Sequence, residues 1–295
     1  MDSSSWTRIK RGKALIGVTQ PNTSGDVLME RKFVSGPILF NGKVVSECCT
    51  TSIIYGPPET IYIDSIQGSV IQFSMIDGDG TVDFGNGTII PIANIDTNIS
   101  YTVGPRIIIK SATITTLNIN NAIGATNIIF NEGLTYFTNF TIQPSTVANI
   151  DITNITKTLQ TFQCVDCMNL TNIIGLNNCP SLINMIVNQC NIRGIFSLNN
   201  CPLLQNLAIG ANTGITSAVF NKCPILSNII YGFCNISQSE ADNVIIPNII
   251  ANGVSGGSLN ILTQGIPPNT VSLDPSTWTA LGNDTGSTGL GWTII

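Results

Sequence analysis

The chain has 295 residues, of which 43% are hydrophobic and only 10% charged, with a formal net charge of −5. Charge this sparse, against roughly 25% in ordinary globular proteins, leaves surface polarity to neutral side chains, chiefly about thirty Asn together with Thr and Ser. The absence of His excludes Ser-His-Asp and Cys-His nucleophile activation and every His-ligated metal site, and the scarcity of cations excludes nucleic acid as a partner.

Residues 1–55 are expected to be an attachment segment. They hold the basic cluster Arg8, Lys10, Arg11 and Lys13, read as a solvated face, and a hairpin through Phe40-Asn41-Gly42-Lys43, whose Asn-Gly pair favours a two-residue turn. The start lacks the apolar run of a secretory signal, so if Met1 is the true start the chain is expected to be made in a cytosol. No stretch reaches the ~18 apolar residues of a membrane span.

Residues 56–112 carry short β-prone runs separated by Gly, Pro and Asp: Ile61-Tyr62-Ile63, Val70 to Phe73, Thr81 to Phe84, Ile89-Ile90, Tyr101 to Val103 and Ile107 to Ile109. This spacing predicts a small β-sandwich. Asp83-Phe84-Gly85-Asn86-Gly87-Thr88 resembles the turn of polycystic-kidney-disease-like sandwich domains, with Phe84 and Asn86 where that turn has Trp and Asp. Asp77, Asp79 and Asp83 lack the Gly and closing Glu of an EF-hand. A looser calcium site stays open beside the simpler reading as an Asp-Gly turn.

From residue 113 to 295 the chain is expected to be a repeat solenoid with a C-terminal cap. The template L-x-x-L-x-L-x-x-N/C fits Leu182, Met185, Val187, Cys190, then Leu204, Leu207, Ile209, Asn212, then Leu226, Ile229, Tyr231, Cys234, advancing by about 22 residues. Asn178-Cys179-Pro180, Asn200-Cys201-Pro202 and Lys222-Cys223-Pro224 repeat at the same interval. An earlier copy, Leu159, Phe162, Cys164, Cys167, is one residue out of register. Weaker copies are read at Ile114, Leu117 and Ile119, at Leu134 with Phe137, and at Val147, Ile150, Ile152 and Ile155. A short helix is predicted from Ser237 to about Asn252, a strand at Ser258 to Ile261, a helix at Pro275 to Gly282 and a closing strand at Gly291 to Ile295.

The stretch NNCPSLINMIVNQC resembles bacterial and treponemal-type leucine-rich repeats of surface proteins, over residues 113 to 262 and most closely over 159 to 236. The resemblance implies adhesion or interaction and no chemistry. The fold class expected is therefore mainly β: a small β-sandwich followed by a leucine-rich-repeat solenoid with short helices or irregular return segments.

The period also absorbs the cysteines. Cys164 and Cys167 have the spacing of a redox or zinc pair, but both fall in inward columns of the repeat, and nine cysteines cannot close into disulfides as a set. No cofactor, metal or catalytic residue is expected. Between the buried positions, Asn184, Asn206 and Asn228 and, two residues on, Ile186, Ala208 and Ile230 are expected to face outward, as an amide ladder beside an apolar stripe. This is the candidate binding surface, and ladder stabilisation alone is the alternative reading.

The function expected is a non-catalytic virion component, a decoration or fibre protein of a bacteriophage. It would join other virion proteins through its N-terminal segment, act as an oligomer, and meet a host-surface protein or glycan through the solenoid. A bacterial cell-surface adhesin is the alternative, and a glycan-active enzyme, which needs two facing carboxylates, is the third reading.

Overall fold

The computed structural model describes residues 59–261 and 292–294, together with the backbone of four short strands nearer the N-terminus. The chain divides into two compact units, Met1–Pro57 and Pro58–Ile295. In the first, β1 (Thr7–Arg8) pairs antiparallel with β2 (Leu15–Ile16), and β3 (Ile38–Phe40) with β4 (Lys43–Ser46). Phe40 lies opposite Lys43, the pairing that the Asn-Gly turn predicts. The side chains of the basic cluster lie outside the described residues.

The second unit is mainly β and contains a β-solenoid of about five turns. It opens with β5 (Thr60–Asp77), β6 (Thr81–Asp83), β7 (Ile89–Pro91), β8 (Tyr101–Thr102) and β9 (Arg106–Lys110). The two runs Ile61 to Ile63 and Val70 to Phe73 belong to one strand of 18 residues. It continues through the polar interval because β10 (Thr116–Phe130) lies antiparallel along it and carries matching register shifts between Asn118 and Asn127. β9 and β8 pair with β5, β6 with β9 and β7 with β6, all antiparallel, so residues 59–112 extend the same sheet as the solenoid. Phe84 is fully buried, 6.3 Å from Phe73 and stacked on Tyr101 at 4.6 Å between centroids. In its turn the Asp83 carboxylate accepts from the Gly85 N–H and the Asn86 amide oxygen from the Thr88 N–H, which are Asx turns.

Beyond β10 the chain coils. β11 (Asn139–Ser145), β12 (Asn149–Asp151), β13 (Thr161–Val165), β14 (Asn172–Ile174), β15 (Asn184–Asn188), β16 (Arg193–Asn199), β17 (Asn206–Ala208), β18 (Gly214–Asn221), β19 (Asn228–Ile230) and β20 (Ser258–Asn260) follow, and β21 (Thr293–Ile294) closes the sheet. One face is the parallel ladder β10-β11-β13-β15-β17-β19-β20-β21. A second face is made by the far half of β10 with β12 and β14, and by β16 with β18. Each coil from β11 to β18 is thus a strand, a corner, a second strand and a return.

This geometry corrects the coil assignment in the weaker copies. Leu134 and Phe137 are both buried, but the columns of the second coil are filled by Phe137, Phe140 and Ile142, since Phe140 pairs between Leu117 and Phe162 and Leu134 lies in the turn before them. Val147, Ile150, Ile152 and Ile155 form no coil of their own and line the second face of that coil through β12. A template that describes one face counts the second face as another copy. The out-of-register copy is ordinary in space, because Phe162 and Met185 are direct neighbours in an unbroken pairing.

Two corners per coil are marked by non-glycine residues with positive φ: Asp166, Gln189, Ala211 and Phe233 at one, and Asn178, Asn200 and Lys222 at the other, all between 53° and 65°. Asn and Asp tolerate this region and larger residues resist it. Stacking holds them there. The Gln189 N–H donates to Gly210 O at 3.1 Å, Ala211 to Gly232 O at 2.8 Å and Asn200 to Asn221 O at 2.9 Å, each bond passing to the next coil.

Between β19 and β20 lies the predicted helix, α-helical at Gln238–Glu240, widened to a π-turn at Ala241–Ile245 and α-helical again at Ile246–Asn252. The Ser237 hydroxyl caps it by accepting from Glu240 N at 3.2 Å, and Gly253 ends it with φ 72°. The widening falls just before Pro247, which has no N–H to continue the ladder. Ile245, Ile246 and Ile249 are buried, and the Asn252 amide ties the helix to the preceding coil, accepting from Cys223 N and donating to Phe220 O. At the end Trp292 is fully buried, its indole N–H donates to Val254 O at 2.8 Å, and Gly257 lies against its ring. The helix expected at Pro275 to Gly282 lies outside the described residues.

Candidate functional site

The interior is occupied column by column. Leu182, Leu204 and Leu226, with Met185, Leu207 and Ile229 and with Val187, Ile209 and Tyr231, are all 2% exposed or less, as the alternation requires. Ser145, Cys167, Cys190, Asn212 and Cys234 end the first-face strand, each donating to a carbonyl of the coil before: to Ala122, Ile142, Cys164, Val187 and Ile209 respectively. Hydroxyl, thiol and amide exchange freely here because the position asks for one small buried donor. Asn212 does more, donating also to Ile209 O at 2.7 Å and accepting from Cys190 N at 3.1 Å.

Cys179, Cys201 and Cys223 form a second buried column, while the Cys164 and Cys167 pair that suggested zinc or redox chemistry is divided between two others, Cys164 beside Val187 and Cys167 in the strand-ending column with Cys190. All seven cysteines among the described residues are free and buried. Burial pushes the Cys164 thiol up and raises Cys234 to about 11. Cys201 stands between Cys179 and Cys223, and hydrogen bonding to it together with burial pushes both neighbours up. The thiols of Cys164, Cys167, Cys190 and Cys234, all pushed up and so held protonated in the interior, are poor nucleophiles and poor metal ligands.

Among the described residues no three His, Cys, Asp or Glu side chains converge on a point. Asp77 accepts from the Thr115 hydroxyl at 2.9 Å, Asp83 caps its own turn, and the Asp79 N–H donates to Thr113. The three face different partners.

The outward face is where alternation places it. Asn184, Asn206 and Asn228 are direct neighbours across the strands, as are Ile186, Ala208 and Ile230. The Asn206 amide donates to Asn184 at 2.6 Å and Asn228 to Asn206 at 3.2 Å. Ile186, Ala208 and Ile230 are half-buried by one another and form a continuous apolar strip two residues away. Further ladders run on other faces: Asn177-Asn199-Asn221 with bonds of 3.0 and 2.8 Å, Asn178-Asn200 at 3.0 Å and Asn127-Asn149 at 2.9 Å. The 22-residue Asn spacing in the NNCP marker contains the first two.

The Asn127-Asn149 pair has a direction, which Asp64 fixes. Its carboxylate can only accept, so the Asn127 NH2 that faces it at 3.4 Å must donate, leaving the Asn127 oxygen to accept from Asn149. Arg106 donates to the other Asp64 oxygen at 2.6 Å and lies 5.1 Å over the Tyr62 ring. The ladder therefore ends on a carboxylate held by a guanidinium.

Compared with protein-family models, curated proteins and solved structures, the chain matches none of the three.

Proposed function

We propose that the protein is a non-catalytic structural and binding component of a virion, a decoration or fibre protein, built on leucine-rich-repeat-type coils whose returns are strands. On this reading residues 56–112 act as a sandwich-like cap for the first coil, and the separate N-terminal unit joins other virion proteins. The solenoid presents its outer columns to a host-surface protein or glycan.

The observation that carries the reading is the in-register outward face formed by Asn184, Asn206 and Asn228 beside Ile186, Ala208 and Ile230. The polar and apolar groups of the interior are engaged in stacking, so contact with another molecule falls to the outer columns. A sparsely charged, His-free, Asn-rich surface suits assembly within a particle. Proteomics of particles purified from a lysate of producing cells is expected to find this chain in fixed ratio to the capsid proteins. Recovery only from the soluble fraction of uninfected cells overturns the assignment.

A further inference from the structure

A second surface differs from these ladders in its chemistry. Where the first face turns into the second, Asn120 of β10 and Gln143 of β11 are direct neighbours, and Asn121, Pro144 and Asp166 follow at the corner. Asn121 and Asp166 take the corner with φ 58° and 56°. Together these five residues line a shallow depression of about 360 Å³, at the small end of ligand-sized pockets, which run from about 300 to 1,000 Å³.

Their hydrogen-bonding capacity is unspent. The Asn side chains at 127, 149, 177, 199, 221, 184, 206 and 228 are bonded to one another along the stack. The side chains of Asn120, Asn121, Gln143 and Asp166 make no hydrogen bond or ion pair among the described residues. Three carboxamides, each with donor and acceptor side by side, and one acceptor-only carboxylate converge around the exposed ring of Pro144.

Hydroxyl groups that both donate and accept match this set. An anion would meet the charge of Asp166. An extended peptide that seats apolar side chains in pockets would find little here, since Pro144 is the one apolar lining residue. We propose that the corner formed by Asn120, Asn121, Gln143, Pro144 and Asp166 binds a neutral glycan, its vicinal hydroxyls bonded by the amides and by Asp166. This narrows the ligand class of the proposed function, yet it stands on a different surface from the face at residues 184–230.

The test is titration of the full chain, by calorimetry and saturation-transfer NMR, with neutral oligomers of glucose, galactose, mannose and N-acetylglucosamine. At least one is expected to bind at millimolar strength or tighter. Gln143→Ala and Asp166→Asn are each expected to weaken it about 3- to 10-fold with the melting temperature unchanged, while Asn184→Ala leaves it intact. Failure of the whole panel to bind, or binding indifferent to both corner substitutions, overturns the proposal. Loss through Asn184→Ala alone also overturns it, while supporting the outer strand face as the working surface. A displayed random-peptide library enriched on this corner, with enrichment abolished by Gln143→Ala, contradicts the ligand class.

Discussion

Asn212→Ala is expected to destabilise the protein by about 3–4 kcal/mol. The side chain is fully buried and serves three backbone groups of two successive coils, the carbonyls of Val187 and Ile209 and the N–H of Cys190. Alanine removes the side-chain partner of the Val187 carbonyl and of the Cys190 N–H and leaves the Ile209 carbonyl with the weak Cys234 thiol donor alone, at ~1 kcal/mol or more for each lost bond. The equivalent position is Cys in the coils on either side, whose thiols donate to the carbonyl of the coil before. Asn212→Cys therefore restores one of the three bonds and is expected to cost about half as much. Urea unfolding followed by circular dichroism distinguishes the two. Equal midpoints for the Ala and Cys variants would show that the column is governed by volume and not by hydrogen bonding.

Trp292→Ala is expected to cost about 3–5 kcal/mol, the range for truncating a large buried aromatic, but to spend it at one end of the molecule. The indole covers the last coil, donates to Val254 O and fits because Gly257 has no side chain to meet its ring. In a stacked repeat each coil contacts only its neighbours, so loss of the cap frays the terminal coils first. Hydrogen exchange is expected to quicken at Leu259, which pairs with Ile294, while Met185 and Leu207 in central strands keep their protection. Trp292→Phe keeps most of the packing and loses the indole bond, giving about 1 kcal/mol. A uniform loss of protection across all coils would mean that the solenoid melts as one unit.

The repeat between Leu159 and Cys234 was legible because two markers shared one period and the inward positions were apolar, or Cys and Asn in the column that ends each strand. Alternation alone placed Asn184, Asn206 and Asn228 on the outside, and the short helix expected from Ser237 to about Asn252 lies over that stretch. The second face was not legible. Asn149–Asp151 and Asn172–Ile174 both open on Asn-Ile, but Arg193–Asn199 is longer and does not continue that pattern, so no period emerges along this face. For the same reason Val147 to Ile155 read as a further coil. The 18-residue strand was hidden by its polar centre, where bulges in β10 supply the pairing that local sequence does not advertise. The corner at Asn120, Gln143 and Asp166 escaped notice because it lies on the first, degenerate coils. Its distinction, amides with nothing bonded to them, exists only in three dimensions.

Excision of one coil tests the account most directly. Asn206 occupies the place of Asn184 one step along the stack, 22 residues later, so removing residues 184–205 joins Ile183 to Asn206 with both faces and both corners still in phase. The shortened chain is expected to fold, with the far-UV spectrum of the parent and a cooperative urea transition, whereas removing half that segment is expected to abolish the transition. A full-coil deletion as unfolded as the half-coil deletion would contradict the claim that the 22-residue step is the structural unit of this protein.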